Sequence, residues 1–341
     1  MIDAFVEALP DPVLVIGQDQ RIGAFNGSAR ALFPVLGSGQ RMLPLVIRSP
    51  DVLDAVARLF AGGAVETVHL HERVPVERLF KVHVAPLPLD GAMNVVLTLQ
   101  DLTDARRTEK MRVDFIANAS HELRTPLASL LGFVETLQGA AKDDTKARDR
   151  FLTIMRDQGR RMARLIDDLL SLSQIERQEH VRPQTQVDFC EVVRQCIDAL
   201  TPVAKEAHVR LDVDIPARLP VLGDRDELIR VAENLIENAI KYGANDDGAE
   251  TRVAISLAIK NGEARFAVRD HGAGISPDHL PRLTERFYRV DAGKSRAKGG
   301  TGLGLALVKH IVSRHRGVLR IWSEPGKGAE FSVELPMEVG S

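Results

Sequence analysis

Residues 115–133 read FIANASHELRTPLASLLGF, and this stretch decides how the middle of the chain folds. Apolar residues recur along it at helical spacing, which predicts one face of a helix packed against a bundle. The residues on that face are Phe115, Leu123, Leu127, Leu130 and the following Val134. His121 and Glu122 are left to point at water, where an exposed imidazole is a usable nucleophile.

Two residues just beyond His121 add to this pattern. Thr125 lies four residues further on the same helix face, where its hydroxyl is expected to position a water near the imidazole. Pro126 has no N–H to donate to the carbonyl of Glu122, so we expect the helix to bend there and to provide a hinge. The alternative is an ordinary surface histidine beside a tolerated kink.

The segment from residue 104 to about 177 is predicted to be a helical hairpin. Its second half repeats by threes and fours, as bundle helices do, at Met155, Gln158, Met162, Leu165, Leu169 and Leu172. The run GAAKDDT at residues 139–145 predicts the turn, with Asp144 or Thr145 as the N-cap of the second helix. One hairpin cannot close a four-helix bundle, so we expect an obligate homodimer.

Both flanks of the hairpin predict further domains. Before it, short β-like runs at residues 13–16, 65–70, 79–85 and 95–99 alternate with turn residues, which predicts a small α+β domain. After a polar joint at residues 178–186, helices and strands alternate, which predicts a two-layer α/β domain. Its strands are expected at 210–215, 253–259, 265–270, 318–323 and 330–335, and its helices at 189–207, 225–242 and 304–316.

Composition limits the classes of function. The chain has 341 residues, 44% hydrophobic and 27% charged, with a net charge of −2, so no chain-wide field favours nucleic acid or an anionic membrane. Cys190 and Cys196 lie on different faces of a predicted helix, which argues against a disulfide and indicates a reducing compartment. No apolar run approaches ~18 residues. We expect a cytoplasmic chain, either soluble or the cytoplasmic part of a membrane-anchored protein.

The run ENLIENAIKYG at residues 233–243 combines an apolar helix face with a polar stripe. Asn234, Asn238 and Lys241 fall at i, i+4 and i+7, so they share that stripe. Amide oxygens are hard, neutral ligands for Mg²⁺, and an ammonium neutralises phosphate charge, so the stripe is suited to a metal-bound triphosphate. A solvated helix face is the alternative, although such faces more often carry Glu and Lys.

Two glycine-containing runs follow. In RDHGAGIS, residues 269–276, Asp270 offers a carboxylate to an exocyclic amine, while Gly272 and Gly274 allow close approach of the backbone to a planar ring. In GGTGLGLALVKHIV, residues 299–312, a glycine-rich loop opens into an apolar helix, without the Walker A spacing. The backbone amides expected to cradle an anion are those of Gly300, Gly302, Leu303 and Gly304. Between these runs, RFYRVDAGKSRAKGG (residues 286–300) predicts a mobile lid, with an ordinary surface loop as the alternative.

The run SHELRTPL at residues 120–127 matches the H-box of the sensor histidine kinases, and the runs quoted above match the N, G1, F and G2 boxes in family order. Over residues 107–336, about two thirds of its length, the chain is identified as a member of that family. The resemblance implies that His121 is the phosphoacceptor and Glu122 its acid–base partner. It also implies that Thr125 serves the reverse phosphatase reaction, in which water attacks the phospho-aspartate of a partner.

ATP and Mg²⁺ are the ligands that the resemblance implies. Asn238 then ligates the metal, Lys241 contacts phosphate and Tyr242 lies against the nucleotide. Asp270 reads the adenine N6 amine, and Arg289 is a candidate contact of the γ-phosphate. The other expected ATP-binding residues are Asn234, Gly272, Gly274, Gly300, Thr301, Gly302, Leu303 and Gly304.

A multidomain α+β architecture is also implied. Residues 1–103 are expected to form a PAS-like sensor domain, because LPDPVLVIGQDQRIGAFNGSARALF (residues 9–33) resembles the start of PAS domains, with a helix beginning near Asn26. Residues 104–178 are expected to form the dimeric four-helix-bundle domain for histidine phosphotransfer. Residues 186–338 are expected to form a two-layer α/β sandwich that binds ATP, of the GHKL type.

The expected partners are a second copy of the chain and the receiver domain of a response regulator, whose aspartate takes the phosphoryl group. The context DFIANASHELRTPLASLLGFVETLQG at residues 114–139 most resembles the phosphate-regulon (PhoR-like) subgroup. No nucleic-acid partner is expected. Signal input is expected through protein contacts, with a membrane protein as a candidate partner.

Other interpretations remain open at this point. A clamp-type ATPase of the same nucleotide fold carries a catalytic glutamate where this chain has Asn234, and lacks an H-box hairpin. A non-catalytic adaptor would not need intact N, G1 and G2 boxes. In the sensor domain, His69, His71 and His83 on predicted strands allow haem or metal ligation, but solvent-facing histidines are the favoured interpretation. No cysteine precedes Cys190, which excludes flavin-cysteinyl photochemistry.

Overall fold

A computed structural model describes residues 2–72, 77–89, 91–139, 141–178, 180–244, 249–291, 293 and 300–337. The chain divides into two compact units, Met1–Asp114 and Phe115–Ser341. Seven of the 15 residues of the predicted lid, at positions 292 and 294–299, lie outside the described residues. Among the helices described, none combines the length and the low charge of a membrane-spanning segment.

The first unit is an α+β domain with a five-stranded antiparallel sheet. Its strands are β1 (Val13–Ile16), β2 (Ile22–Phe25), β3 (Glu66–Glu72), β4 (Arg78–Leu89) and β5 (Ala92–Asp101), and its helices are α1 (Ile2–Glu7), α2 (Gly27–Leu32), α3 (Leu43–Val46) and α4 (Pro50–Phe60). The strand order is β2-β1-β5-β4-β3. The four β-like runs predicted from sequence are confirmed as β1, β3, β4 and β5.

Helix α4 lies outside the elements predicted from sequence. It begins at Pro50, a residue that suits the first turn of a helix but also signals a turn between strands. Its buried residues are Val52, Ala55, Val56 and Leu59, which form one face against the sheet. The helix is only 11 residues long, so its period is easily lost among the surrounding turn signals.

Asn26 fixes the start of α2, as the sequence predicts. Its Oδ1 accepts hydrogen bonds from the backbone amides of Val13 at 3.1 Å and Ala29 at 2.9 Å. Its Nδ2 donates to the carbonyls of Leu9 at 2.9 Å and Asp11 at 2.7 Å. One buried side chain therefore caps a helix and joins it to the first strand.

The predicted hairpin consists of α5 (Thr103–Gln138) and α6 (Thr145–Gln178). The Asp144 carboxylate accepts from the amide of Ala147 at 3.0 Å, so Asp144 caps α6. Helix α5 continues through Pro126, which is buried, and the bend expected there stays a prediction.

The rest of the second unit is a two-layer α/β domain. Its strands are β6 (Gln186–Asp188), β7 (Val209–Asp214), β8 (Pro220–Leu222), β9 (Thr251–Lys260), β10 (Glu263–Asp270), β11 (Val318–Ser323) and β12 (Ala329–Pro336), and its α-helices are α7 (Phe189–Glu206), α8 (Arg225–Gly243) and α9 (Gly304–Arg314). The main sheet has the order β11-β12-β10-β9-β7, with β7 parallel to β9. Strands β6 and β8 pair separately and are too short for a recognisable sequence period.

One hydrophobic core joins this domain to the hairpin. The buried faces of α7, α8 and α9 pack with the sheet, and Leu165, Leu172 and Ile175 of α6 belong to the same cluster. The polar joint predicted at residues 178–186 contacts the α/β domain, because Arg314 Nε donates to the carbonyl of Val181 at 3.0 Å and the amide of Gly223 donates to the carbonyl of Thr185 at 2.8 Å. The hairpin and the α/β domain therefore form a continuous packed unit.

Candidate functional site

Helix α8 presents the predicted polar stripe on its partly exposed side. Asp224 begins the helix, and its Oδ1 accepts hydrogen bonds from two first-turn amides. Asn234 Nδ2 donates to the carbonyl of Arg230 at 2.8 Å, and Lys241 Nζ lies 2.6 Å from Glu237 Oε2. Asn238 and Lys241 are half-buried, and Tyr242 is exposed. The stripe therefore faces outward while the opposite side of α8 enters the core.

Asp270 lies at the end of β10 and is only 4% exposed. Its Oδ1 accepts from the amides of Gly272 at 2.9 Å and Ala329 at 3.2 Å, which fixes the orientation of the carboxylate. Burial raises the pKa of Asp270 above its usual value, while the two amides oppose that rise. An oriented, buried carboxylate suits recognition of an amine by hydrogen bonding.

The loop after Asp270 packs closely on its neighbours, which explains its two glycines. A Cβ at Gly272 would lie 2.2 Å from the carbonyl oxygen of Tyr242, at the end of α8. A Cβ at Gly274, whose φ is +70°, would lie 2.1 Å from the carbonyl oxygen of Glu324. This loop and the end of the Asn234–Lys241 stripe are therefore in direct contact.

The glycine-rich loop before α9 reaches the same helix. Gly302 has a φ of +75°, and a Cβ at Gly304 would lie 2.2 Å from Oδ1 of Asn234. Leu303 is fully buried, and its amide donates to the Thr301 hydroxyl at 3.3 Å. The structure therefore brings together the three predicted nucleotide-binding segments: the stripe of α8, the loop after Asp270 and the loop before α9.

The described part of the lid is anchored beside this loop. The amide of Phe287 donates to the carbonyl of Gly302 at 2.8 Å, and the Phe287 ring lies 5.9 Å from the ring of Phe115 on α5. Arg289 Nη2 donates to the carbonyl of Thr301 at 2.7 Å. Arg289 Nε is buried and has no hydrogen-bond partner in the part of the chain that the structure describes.

His121 and Glu122 on α5 have different surroundings. His121 is exposed, as predicted, and its carbonyl accepts from the Thr125 hydroxyl at 3.2 Å. The expectation that Glu122 also points at water is wrong, because its side chain is only 12% exposed. Arg289 Nη2 lies 3.0 Å and Arg161 Nη2 3.4 Å from its Oε2. A helical pattern cannot reveal this burial, because it comes from the docking of the α/β domain.

Two carboxylates of α6 lie at the site but were not predicted from the sequence. Asp168 Oδ2 accepts from the Thr301 hydroxyl at 2.9 Å, and Glu176 pairs with Arg286 and lies 3.6 Å from His310. Burial raises the pKa of Asp168, and the Thr301 hydroxyl opposes that rise. Asp168 falls in step with the buried residues Leu165, Leu172 and Ile175. A carboxylate within an apolar repeat is the signal that identifies it.

The donor set of the site fits a nucleotide. Asp270 suits a base amine, the glycine loops admit close backbone approach, and Arg289 presents an unpartnered guanidinium nitrogen. Within the described ranges, no three His, Cys, Asp or Glu side chains are grouped as metal ligands. The amide oxygen of Asn238 is a ligand of the kind that Mg²⁺ accepts.

Comparison with known domain families follows the same division of the chain. Residues 6–107 match the PAS fold, and residues 111–178 match the His Kinase A (phospho-acceptor) domain. Residues 223–339 match the histidine kinase-, DNA gyrase B- and HSP90-like ATPase family. The chain belongs to the sensor histidine kinases. The phospho-acceptor match separates it from clamp-type ATPases, which share only the nucleotide fold.

Individual relatives are named as sensor proteins. The chain is 38% identical over 247 residues to the sensor-like histidine kinase SenX3 of Mycolicibacterium smegmatis, covering 72% of this chain and 63% of the relative. It is 38% identical over 249 residues to the phosphate regulon sensor protein PhoR of Pseudomonas aeruginosa, covering 73% of this chain and 55% of the relative. The chain thus spans about six tenths of the length of these relatives.

Solved structures include similar folds. Histidine kinase AdeS of Acinetobacter baumannii matches with a TM-score of 0.51 and 26% identity, covering 64% of this chain and 98% of that chain. Histidine kinase ThkA, solved in complex with response regulator protein TrrA, matches with a TM-score of 0.50 over 98% of this chain and 97% of that chain. At 19% identity, the second likeness concerns the fold alone.

Proposed function

We propose that this chain binds ATP with Mg²⁺, phosphorylates its own His121, and passes the phosphoryl group to an aspartate of a response regulator. The observation that carries the proposal is the contact of Arg289 with Glu122, 3.0 Å from Nη2 to Oε2. Arg289 is connected to the glycine-rich loop, and Glu122 is next to the exposed His121. The nucleotide segments and the phosphoacceptor helix therefore meet within one packed unit.

The nucleotide is assigned to the three segments that meet at α8. Asp270 accepts a hydrogen bond from the adenine amine, while Gly272 and Gly274 admit the ring. Tyr242 packs beside the base, Lys241 contacts phosphate, and Asn234 supports the phosphate loop. The triphosphate is bound by the backbone of Gly300, Thr301, Gly302, Leu303 and Gly304, together with the side chains of Thr301 and Arg289. Mg²⁺ held by Asn238 would neutralise phosphate charge.

His121 supplies the nucleophile in the transfer step. A ring nitrogen of His121 attacks the γ-phosphorus, the bond from that phosphorus to the bridging oxygen breaks, and ADP leaves with the electron pair. Glu122 accepts the proton of the other ring nitrogen. Positioning and charge neutralisation provide most of the acceleration in such transfers. Arg289 must leave Glu122 for this step, because one guanidinium edge cannot serve both the carboxylate and the γ-phosphate.

Phosphohistidine then gives its phosphoryl group to a receiver aspartate docked on the hairpin. The match of residues 111–178 to the His Kinase A (phospho-acceptor) domain supports this assignment. We assign the reverse reaction to Thr125, whose exposed hydroxyl lies one turn from His121 and can orient a water toward phospho-aspartate.

Because ATP and response regulators are cytoplasmic, we place the chain in the cytoplasm, with a membrane protein as the source of its signal.

A homodimer is proposed because the hairpin exposes many apolar side chains. The exposed ones are Met111, Val113, Ile116, Leu127 and Leu131 on α5, with Leu152, Ile166 and Leu170 on α6. A second hairpin would bury them in a four-helix bundle. Light scattering should give twice the chain mass for the wild type, and Leu131→Glu with Leu170→Glu should give single chains.

The proposed domain bounds are 1–103 for the PAS-like sensor domain, 104–178 for the phosphotransfer hairpin and 186–338 for the ATP-binding domain.

Phosphate-type signalling is the finer proposal. It is supported by the identity of 38% to a phosphate regulon sensor, although a WalK sensor kinase of Staphylococcus aureus is 36% identical over a similar length. The test is a competition among receiver domains from the organism that makes this chain. Fastest transfer to its phosphate-responsive regulator supports the proposal, and faster transfer to another regulator overturns it.

Autophosphorylation is tested with γ-labelled ATP and Mg²⁺ on the wild type, His121→Ala and Asn238→Ala. The expected label is acid-labile, alkali-stable and lost in both variants, whereas His180→Ala, an exposed histidine outside α5, keeps it. Steady ATP hydrolysis without bound label, unchanged in His121→Ala, would contradict the proposal. Absence of ATP binding would indicate a non-catalytic adaptor instead.

A further inference from the structure

Two carboxylates of the hairpin contact the groups assigned above to the triphosphate. Asp168 on α6 accepts from the Thr301 hydroxyl at 2.9 Å, and Glu122 on α5 lies 3.0 Å from Arg289. Arg289 also donates to the carbonyl of Thr301 at 2.7 Å. Both carboxylates therefore approach a single connected patch beside the glycine-rich loop.

We infer that the carboxylate of Asp168 competes with the phosphates of the nucleotide for the hydroxyl of Thr301. Docking of α6 and binding of the triphosphate are then negatively coupled. The carboxylate of Glu122 likewise competes with the phosphates of the nucleotide for Arg289. The inference rests on the proposed function in one respect, the assignment of Thr301 and Arg289 to the triphosphate.

The competition follows from the donors available. A threonine hydroxyl has one proton, so the proton given to Asp168 is not available to a phosphate oxygen. Carboxylate and phosphate oxygens are anionic acceptors of the same kind, and both form charge-assisted hydrogen bonds with hydroxyl and guanidinium donors. A nucleotide that takes Thr301 must therefore displace Asp168, and reciprocity requires that docked Asp168 weakens nucleotide binding.

The position of Asp168 also argues for more than packing. It is half-buried and lies in step with the buried residues Leu165 and Leu172. A carboxylate there loses hydration and needs partners. Arg164 on the same helix and Arg230 on α8 are the nearby cations, and Thr301 is the hydrogen-bond donor. The charged side chain is therefore directed at the nucleotide-binding segments.

The test measures binding without phosphotransfer. Calorimetric titration of the full chain with the Mg²⁺ complex of a non-hydrolysable β,γ-imido ATP analogue compares wild type, Asp168→Ala and Asp167→Ala. Asp167 is the matched control, since it is an exposed carboxylate one residue away. We expect Asp168→Ala to lower the Kd about fivefold or more, the usual range of coupling between sites. Asp167→Ala should leave it unchanged, and adenosine, which has no phosphate, should bind all three alike.

A double-mutant cycle assigns the effect to Thr301. In a Thr301→Val background, Asp168→Ala should no longer change the Kd of the analogue. If Asp168→Ala does not fold, Asp168→Asn keeps the shape and an acceptor oxygen without the charge, and a smaller decrease of Kd is expected. An unchanged or increased Kd in the folded Asp168 variant overturns the inference.

Failure of the inference can be told from failure of the proposed kinase function. Label on His121 together with an unchanged Kd in Asp168→Ala would remove the coupling and leave the kinase assignment intact. A lowered Kd in Asp168→Ala without any label on His121 would support the coupling and remove the kinase assignment.

Discussion

Arg289 and Glu122 lie 167 positions apart in the chain, and their side chains form an ion pair of 3.0 Å between Nη2 and Oε2. Arg161 reaches the same carboxylate oxygen at 3.4 Å. The side chain of Glu122 is only 12% exposed, so removing one partner leaves a poorly hydrated charge with less compensation. Glu122 is thus held between one arginine of the hairpin and one of the nucleotide-binding domain.

The first prediction concerns the proton acceptor. Replacing Glu122 by Gln should slow labelling of His121 by about 100-fold or more, because general-base catalysis contributes factors of that order. The affinity for ATP should not fall, since the substitution also releases Arg289. Initial labelling rates and calorimetric titration measure the two effects. Glu135→Gln, an exposed glutamate on the same helix, should change neither quantity. Equal slowing in this control would contradict the assigned role.

The second prediction separates binding from stability at Asp270. Asp270→Asn keeps an acceptor for the amides of Gly272 and Ala329 but loses the charge. We expect the Kd for ATP to rise about 10- to 100-fold, since hydrogen bonds to charged groups contribute about 1.5–3 kcal/mol.

The thermal stability of Asp270→Asn should not fall, although its affinity for ATP does. Burial raises the pKa of Asp270, so the ionised carboxylate disfavours folding at neutral pH. Asp270 contributes fully to stability only in its protonated form, below the pKa of the unfolded state, and this contribution is lost as the pH rises through the folded-state pKa. Without nucleotide, the Tm of Asp270→Asn should equal or exceed that of the wild type. The exposed Asp278→Asn is the control for both measurements. A lower Tm with intact ATP binding would refute the prediction.

The third prediction compares two glycines that share a left-handed backbone. Gly262 has a φ of +81° with nothing within 4 Å of a Cβ, so Gly262→Ala should cost only the conformational term of about 1–2 kcal/mol. Gly274 has a φ of +70°, but its Cβ would meet the carbonyl oxygen of Glu324 at 2.1 Å. Gly274→Ala should therefore cost about 1–3 kcal/mol more. Urea unfolding measures both, and equal costs would show that the close approach is unimportant.

The fourth prediction is a dependence of stability on pH through His315, whose side chain is fully buried. Its Nε2 accepts from the amide of Asp224 at 3.0 Å, so Nδ1 carries the proton and donates to the carbonyl of Ile311 at 2.8 Å. Burial lowers the pKa of His315 below 6.5. Its contribution is therefore present above pH 6.5 and is lost as the pH falls toward the folded-state pKa.

Urea unfolding at pH 7.5 and pH 5.5 tests this dependence. The free energy of unfolding should fall more in the wild type than in His315→Leu, by at most about 1.4 kcal/mol, because pH 5.5 lies one unit below the pKa of an unfolded histidine. Glu227, 3.7 Å from Nδ1 and paired with Arg314, has a pKa raised by burial and opposes the trend, so only the difference between the two proteins is informative. His208→Asn, at an exposed site with φ of +54°, should behave as wild type.

Much of the second unit can be predicted from local pattern. Helix α8 begins after Asp224 and strand β11 spans Val318–Ser323, both as the sequence indicates, because caps and apolar periods are local properties. The contacts of Glu122 with Arg289 and of Asp168 with Thr301 cannot be predicted this way. Each joins residues more than 100 positions apart, and only the docking of one domain on another brings them together.

Strands β7 and β9 run parallel, with Val209 opposite Thr251, about 40 positions further along the chain. Parallel neighbours need a crossover rather than a tight turn, and α8, which carries Asn238, lies within that crossover. This edge of the sheet is therefore expected to form late in refolding, because pairing over such a separation is slow. Competence to bind nucleotide is expected to arise in the same late kinetic phase as the sheet, so a partly folded chain would not sequester ATP.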